Sequence, residues 1–266
     1  MFPANRAVEE ADVCFDQDSA PPIPRGVREA RGRDLVLTAR DGNRFSAFEA
    51  TGATPSMAAV VVLPDVRGLF RFYKQLALLL AHAGHDAVAI DYFGRTAGLG
   101  ERPGDWDFWP HLHDTTFAGI RDDVAAAVSH LRASDPDRKI FTMGFCFGGS
   151  ASWHQAANGL ELSGAIGFYG KPRRPEETAG AIDRVAGMAC PILALMGGDD
   201  PSIPLEQVEE LENALAGAGV PHEVVVYPGA PHSFFDRRLH EFEEDSIDAW
   251  ERVLAFISTN SSREGR

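Results

Sequence analysis

"KIFTMGFCFGG", residues 139–149, is the stretch whose reading decides the fold. The run 139–144 reads as a strand, and it passes directly into Gly144-x-Cys146-x-Gly148. After the turn, Ala151, Trp153, Ala156 and Ala157 follow on a helix that begins near Phe147. Strand, glycine–nucleophile–glycine, helix is the arrangement of a nucleophile elbow. The nucleophile occupies a strained turn, and side chains at the flanking glycines would collide with the adjoining strand and helix. The N–H of Phe147, at the helix N-terminus, can donate to an oxyanion. The plainer reading is a small buried thiol in a glycine-rich bend. The strand-to-helix context favours the catalytic one.

Outward from the turn, strands and helices alternate. "DLVLTA" (34–39) and "RFSAFEA" (44–50) flank Asp41-Gly42, a hairpin signal. "AAVVVLP" (58–64) and "DAVAI" (86–90) are continuous apolar runs of the kind buried on both faces of a sheet. Leu76, Leu79, Leu80 and Ala83 mark a helix that stops at Gly84, and Phe117, Ile120, Val124, Val128 and Leu131 mark another. Three more strands are expected at 164–170, 190–197 and 222–229. Helices are expected near 176–187, 205–217 and 241–258. This is an α/β chain with a mostly parallel sheet of about eight strands and helices on both faces. Residues 1–33, with "PPIP" at 21–24, read as an N-terminal arm, 34–260 as one domain and 261–266 as a tail.

The totals narrow the function. A chain of 266 residues, 44% hydrophobic and 24% charged, can bury one large core. A net charge of -14 argues against nucleic acid, although a local arginine cluster can still receive a small anion. Three cysteines (Cys14, Cys146, Cys190) cannot all pair and lack metal-site spacing, which fits a reducing compartment. With no signal-peptide pattern and no bilayer-length apolar run, a cytoplasmic protein is expected, without cofactor, metal or membrane partner. A homodimer stays open.

In open α/β sheets, reactive groups gather just beyond the carboxyl ends of strands. The elbow calls for an acid and then a histidine, each after a later strand. "CPILALMGGDDPSIP" delivers Asp199 and Asp200, and "HEVVVYPGAPHSFFD" delivers His232. The order nucleophile, acid, histidine is met. An aspartate pair after a strand is also a common turn former, and either residue could be the acid. "HLHD" (111–114) offers no third metal ligand.

At this point the chain resembles the dienelactone hydrolases (carboxymethylenebutenolidases) of the α/β-hydrolase superfamily. The likeness is carried by "VVVLPDVRGL", "GHDAVAIDYFGR", "MGFCFGG", "GGDDPSIP" and "YPGAPHSFFD", and it spans about 34 to 258. The resemblance implies a catalytic triad of Cys146, Asp200 and His232, because the family's acid maps onto Asp200. It implies that Asp65 stands for an acid, usually glutamate, that holds the thiol at rest, and that the N–H of Val66 joins that of Phe147 in the oxyanion hole. Asp65 is one methylene shorter than glutamate, and Arg67 replaces an apolar or aromatic residue. Arg67 is read as pairing with Asp65 or meeting a substrate carboxylate. The family's substrates are carboxylated, so Arg95 and Arg237, with Arg102 behind them, are candidate binding residues. Trp106, Phe108 and Trp109 group in one loop, as a roof over the pocket or as a packing cluster. The implied activity is hydrolysis of a small ester or enol lactone through a thioester. The rival readings are a general carboxylesterase or lactonase of the same family and a non-catalytic binding or redox-sensing protein.

Overall fold

The computed structural model describes residues 21, 29–54, 56–102, 106–173 and 180–262. Asp41-Gly42 turns the chain as its sequence suggests. Gly42 sits at φ 86, and β1 (Ala30–Thr38) pairs antiparallel with β2 (Arg44–Gly52) along its whole length. β1 thus begins inside the segment read as an arm. The rest of that arm, apart from Pro21 and Glu29, lies outside the described residues, as does most of the tail.

The later strands are β3 (Ala58–Leu63), β4 (Asp86–Ile90), β5 (Lys139–Phe145), β6 (Gly164–Phe168), β7 (Ile192–Gly197) and β8 (His222–Tyr227). They form one sheet in the order β1-β2-β4-β3-β5-β6-β7-β8, antiparallel at β1/β2 and β2/β4 and parallel from β4 onward. Every residue of β3 is buried. Successive side chains point to opposite faces, so both faces are covered there.

The covering helices are α1 (Arg71–Ala83), the short α2 (Gly94–Ala97) and α3 (Trp109–Asp114), α4 (Phe117–Arg132), α5 (Phe147–Gln155), α6 (Leu205–Gly217) and α7 (Glu243–Ser261). α1 ends where glycine allows it: Gly84 adopts φ 99 and its N–H closes on the Ala81 and Leu80 carbonyls. The helix expected near 176–187 is corrected. Ile182–Gly187 is a single 3₁₀ segment, and 174–179 lie outside the described residues. Among the described residues, no helix is long and apolar enough to cross a membrane.

Candidate active site

Cys146 adopts φ 53, ψ -115 between β5 and α5, a conformation that L side chains rarely hold. The flanking glycines permit it. A Cβ on Gly144 would lie 1.9 Å from the Gly148 carbonyl oxygen, and one on Gly148 would lie 2.2 Å from the oxygens of both Leu63 and Pro64. The start of α5 is therefore pressed onto the end of β3. That brings the elbow against Asp65 and Val66. The backbone there is pinned by tyrosines. Asp65 N donates to the Tyr73 hydroxyl at 3.0 Å, and the Tyr92 hydroxyl donates to the Pro64 oxygen at 3.0 Å and to the Asp65 oxygen.

Asp200 follows β7 and His232 follows β8. His232 Nδ1 lies 2.5 Å from Asp200 Oδ2. Asp200 Oδ1 accepts from the N–H and the hydroxyl of Ser202, each at 2.8 Å. Of the aspartate pair, Asp200 is the one on the imidazole. Its burial pulls its pKa up, but the His232 hydrogen bond and charge, together with Ser202, hold it below the ordinary value. With Nδ1 on Asp200, the ring also interacts with Cys146, whose charge acts on it. Burial alone would favour neutral imidazole. The Cys146 charge and the bonds to Asp200 and Cys146 outweigh it and push His232 up to about 10. The surroundings therefore favour the protonated ring, with a carboxylate bonded to Nδ1 and a thiol nearby.

Asp65 is fully buried, and its Oδ1 accepts the Arg67 N–H at 2.8 Å. Its Oδ2 has no hydrogen-bond partner among the described residues. Burial first, then the Cys146 charge, raise its pKa well above the carboxylate range. The Arg67 guanidinium lies 5.1 Å from the Phe70 ring centre and is half-buried. Among the described residues the Val66 N–H makes no hydrogen bond, and Phe147 is the first residue of α5.

Arg95 is placed differently from its reading as a substrate contact. Its guanidinium bonds Asp41 at 2.5 Å and Asp123 at 2.8 and 3.0 Å, and it also donates to the Gly119 carbonyl at 3.1 Å. Two carboxylates and a carbonyl thus hold it between the hairpin and α4. Arg102 is likewise held, by Asp91 and the Gly98 carbonyl, each at 2.7 Å. Trp106 packs in a cluster, 5.0 Å from Arg102, 5.1 Å from Phe93 and 5.1 Å from His111, while Trp109 is 47% exposed beside Phe108. Arg237 is half-buried next to Asp236, and its N–H donates to that carboxylate. Cys190 is buried, which pushes its thiol up to about 12 and disfavours the reactive thiolate. Among the described residues, no group of three or more His, Cys, Asp or Glu gathers as a metal site.

Two residues at the site were not singled out in the sequence. Tyr169, directly after β6, sets its ring 4.9 Å from that of His232, and its hydroxyl donates to buried Asp236 at 2.6 Å. The post-strand rule that found Asp200 also covers Tyr169. Asp236 had only its position, four residues past His232, to mark it.

An eight-stranded, mostly parallel sheet with an elbow at the end of a central strand is the α/β-hydrolase fold. Within it, residues 45–261 match the model of the dienelactone hydrolase family. The chain belongs to that family and is a hydrolase acting on carboxylic esters, lactones among them. It is 30% identical to a carboxymethylenebutenolidase of Rhodococcus opacus, over 92% of this chain and 96% of that one. It is also 30% identical to a putative carboxymethylenebutenolidase of Salmonella typhimurium, over 80% of each. Among solved structures, a putative dienelactone hydrolase from Klebsiella pneumoniae superposes with a TM-score of 0.78 at 25% identity, covering 86% of this chain and 99% of that one.

Proposed function

We propose that the protein hydrolyses activated esters or enol lactones, carboxylated ones in particular, with Cys146 as nucleophile. The observation that carries this is a single imidazole, His232, bonded through Nδ1 to Asp200 and interacting electrostatically with Cys146 at the elbow. His232 takes the thiol proton, and Asp200 orients the ring and balances its charge. The thiolate adds to the substrate carbonyl. The N–H groups of Phe147 and Val66 receive the oxyanion, in keeping with the helix terminus at one and the unoccupied donor at the other. Collapse expels the alkoxide or enolate, which takes its proton from His232. Water, deprotonated by His232, then hydrolyses the thioester and restores the thiol.

A thiolate attacks well and also leaves well. A poor alkoxide leaving group would let the intermediate revert, whereas an enolate, whose charge delocalises, departs. Enol lactones therefore suit this nucleophile better than alkyl esters or amides. Asp65, whose burial favours its protonated form, is suited to hold the thiol at rest. Arg67, two residues past Asp65, and Arg237, next to Asp236, are the arginines that would meet a substrate carboxylate. A nucleophilic thiolate also suits a reducing compartment such as the cytoplasm.

The test is steady-state kinetics on a carboxylated enol lactone and on p-nitrophenyl acetate, with Cys146→Ala as control. Preference for the lactone, lost in kcat on Cys146→Ala and in KM on Arg67→Ala, supports the proposal. Equal kcat/KM for both substrates would make it a general esterase, and hydrolysis surviving Cys146→Ala would remove the thiol from the chemistry.

A further inference from the structure

Behind the imidazole stands a wall built by residues outside the triad. Tyr169 is held at φ 37, which is strained for a residue other than glycine, and its N–H is tied to the Leu195 carbonyl at 2.8 Å. Its ring lies against His232 and against Phe234, 5.7 Å away. Its hydroxyl is fixed by Asp236 Oδ2 at 2.6 Å, and Asp236 Oδ1 accepts the Arg237 N–H. Asp236 is 2% exposed, and among the described residues the donors on its oxygens are a phenol and a peptide N–H. A buried carboxylate with neutral donors is costly to keep.

We infer that Asp236, acting through Tyr169, is a positioning residue for His232: the hydrogen-bonded pair fixes the imidazole between Asp200 and Cys146 and sets a second buried carboxylate beside the thiolate. The inference rests on the reading of Cys146 as nucleophile. The groups facing Asp236 are Tyr169 from the end of β6, Cys146 from the elbow, Asp65 from the end of β3, and His232 and Arg237 from its own loop. Like charges crowded out of water cannot all ionise. Burial and the Cys146 charge favour the protonated form of Asp65. Burial lifts Asp236 to about 7 against the Tyr169 and Arg237 hydrogen bonds, so the charge beside the thiolate changes by one near neutrality. Ionised Asp236 favours the imidazolium and opposes the thiolate.

Two variants separate geometry from charge. Tyr169→Phe keeps the ring and removes the hydroxyl. Asp236→Asn keeps the shape, since its amide oxygen can still accept from Arg237 N–H while the Tyr169 hydroxyl rotates to accept from its NH₂, but it removes the charge. The readouts are kcat and KM for p-nitrophenyl acetate across pH, and the ultraviolet absorbance of the Cys146 thiolate. Tyr169→Phe is expected to lower kcat about tenfold with KM within about twofold. Asp236→Asn is expected to erase an inflection at about pH 7 from both the kcat/KM profile and the thiolate absorbance. Profiles of both variants within about twofold of the parent overturn the inference. So does a loss of activity that follows only the unfolded fraction while the thiolate titration stays put. Cys146→Ala, run alongside, separates the two failures: if it still hydrolyses ester the nucleophile reading falls, and if it does not while Asp236→Asn behaves as the parent, only this inference falls.

Discussion

What stands on either side of His232 favours its protonated form. The sign of that shift fixes its effect on stability. With the folded value raised from 6.5 to about 10, its contribution is complete below 6.5 and is lost as pH rises through about 10. Asp200 runs the other way: its contribution is present above its ordinary 3.8 and is lost as pH falls through its lowered value. Removing the base should cost far more than a packing defect, so His232→Ala is expected to lower kcat by about 10³-fold or more, and Asp200→Asn by roughly 10²–10⁴-fold, in single-turnover assays. Asp236 has a raised value. Between 3.8 and about 7 the folded state binds the extra proton, and stability falls as pH rises across that window. Asp236→Asn should therefore be more stable than the parent by roughly 1–3 kcal/mol near pH 8 in urea titrations, with no gain near pH 4. Equal stability at both would mean that the carboxylate carries no folding cost.

At the scale of elements, the elbow is where sequence and structure agree most closely. Its residues switch within a few positions from a strand pattern to a helix pattern, and a glycine stands on each side of the thiol. Gly148→Ala would drive a methyl to 2.2 Å from two backbone carbonyls, which cannot step aside as a side-chain tip can. The expected result is a loss of roughly 1–3 kcal/mol in stability and a larger loss in kcat than in folded protein, because β3 and α5 part at the oxyanion site. The helix expected near 176–187, between β6 and β7, is not an α-helix at Ile182–Gly187. Gly180 and Gly187 leave only six residues between them, too few to repay α-helix nucleation, and a 3₁₀ turn forms instead. Tyr169 escaped notice because nothing local distinguishes it from a buried strand-end aromatic. Its role exists only once β6 and the loop after β8 are side by side.

Across the whole molecule, the ends of β3, β5, β6, β7 and β8 supply Asp65, Cys146, Tyr169, Asp200 and His232. Cys146 and His232 were legible because the post-strand rule and the chain order of the elbow mechanism coincide; the same rule narrowed the acid to Asp199 or Asp200, and the family likeness pointed to Asp200 and to Asp65. The same rule misplaced Arg95. It follows β4 as a substrate contact might, but Asp41 of the hairpin turn and Asp123 of α4, far off in sequence, claim its guanidinium. Asp123 is fully buried, and burial pushes it up to about 6 against the pull of Arg95. Arg95→Ala would leave that buried carboxylate without a cation, with Asn43 Nδ2 as its remaining side-chain donor among the described residues. The expected outcome is a loss of roughly 3–5 kcal/mol in thermal or urea unfolding, with kcat/KM of the folded fraction little changed. A selective rise in KM for carboxylated substrate at unchanged stability would return Arg95 to the binding site.

The most direct test of the thiolate–imidazolium pair is the pH dependence of Cys146 alkylation, followed at that residue by peptide mass spectrometry, in the parent and in His232→Ala. The parent should react fast well below about pH 8.5, where an ordinary thiol is protonated, and His232→Ala should move the reaction up to that range. A Cys146 that ionises like an ordinary thiol in both proteins would contradict it.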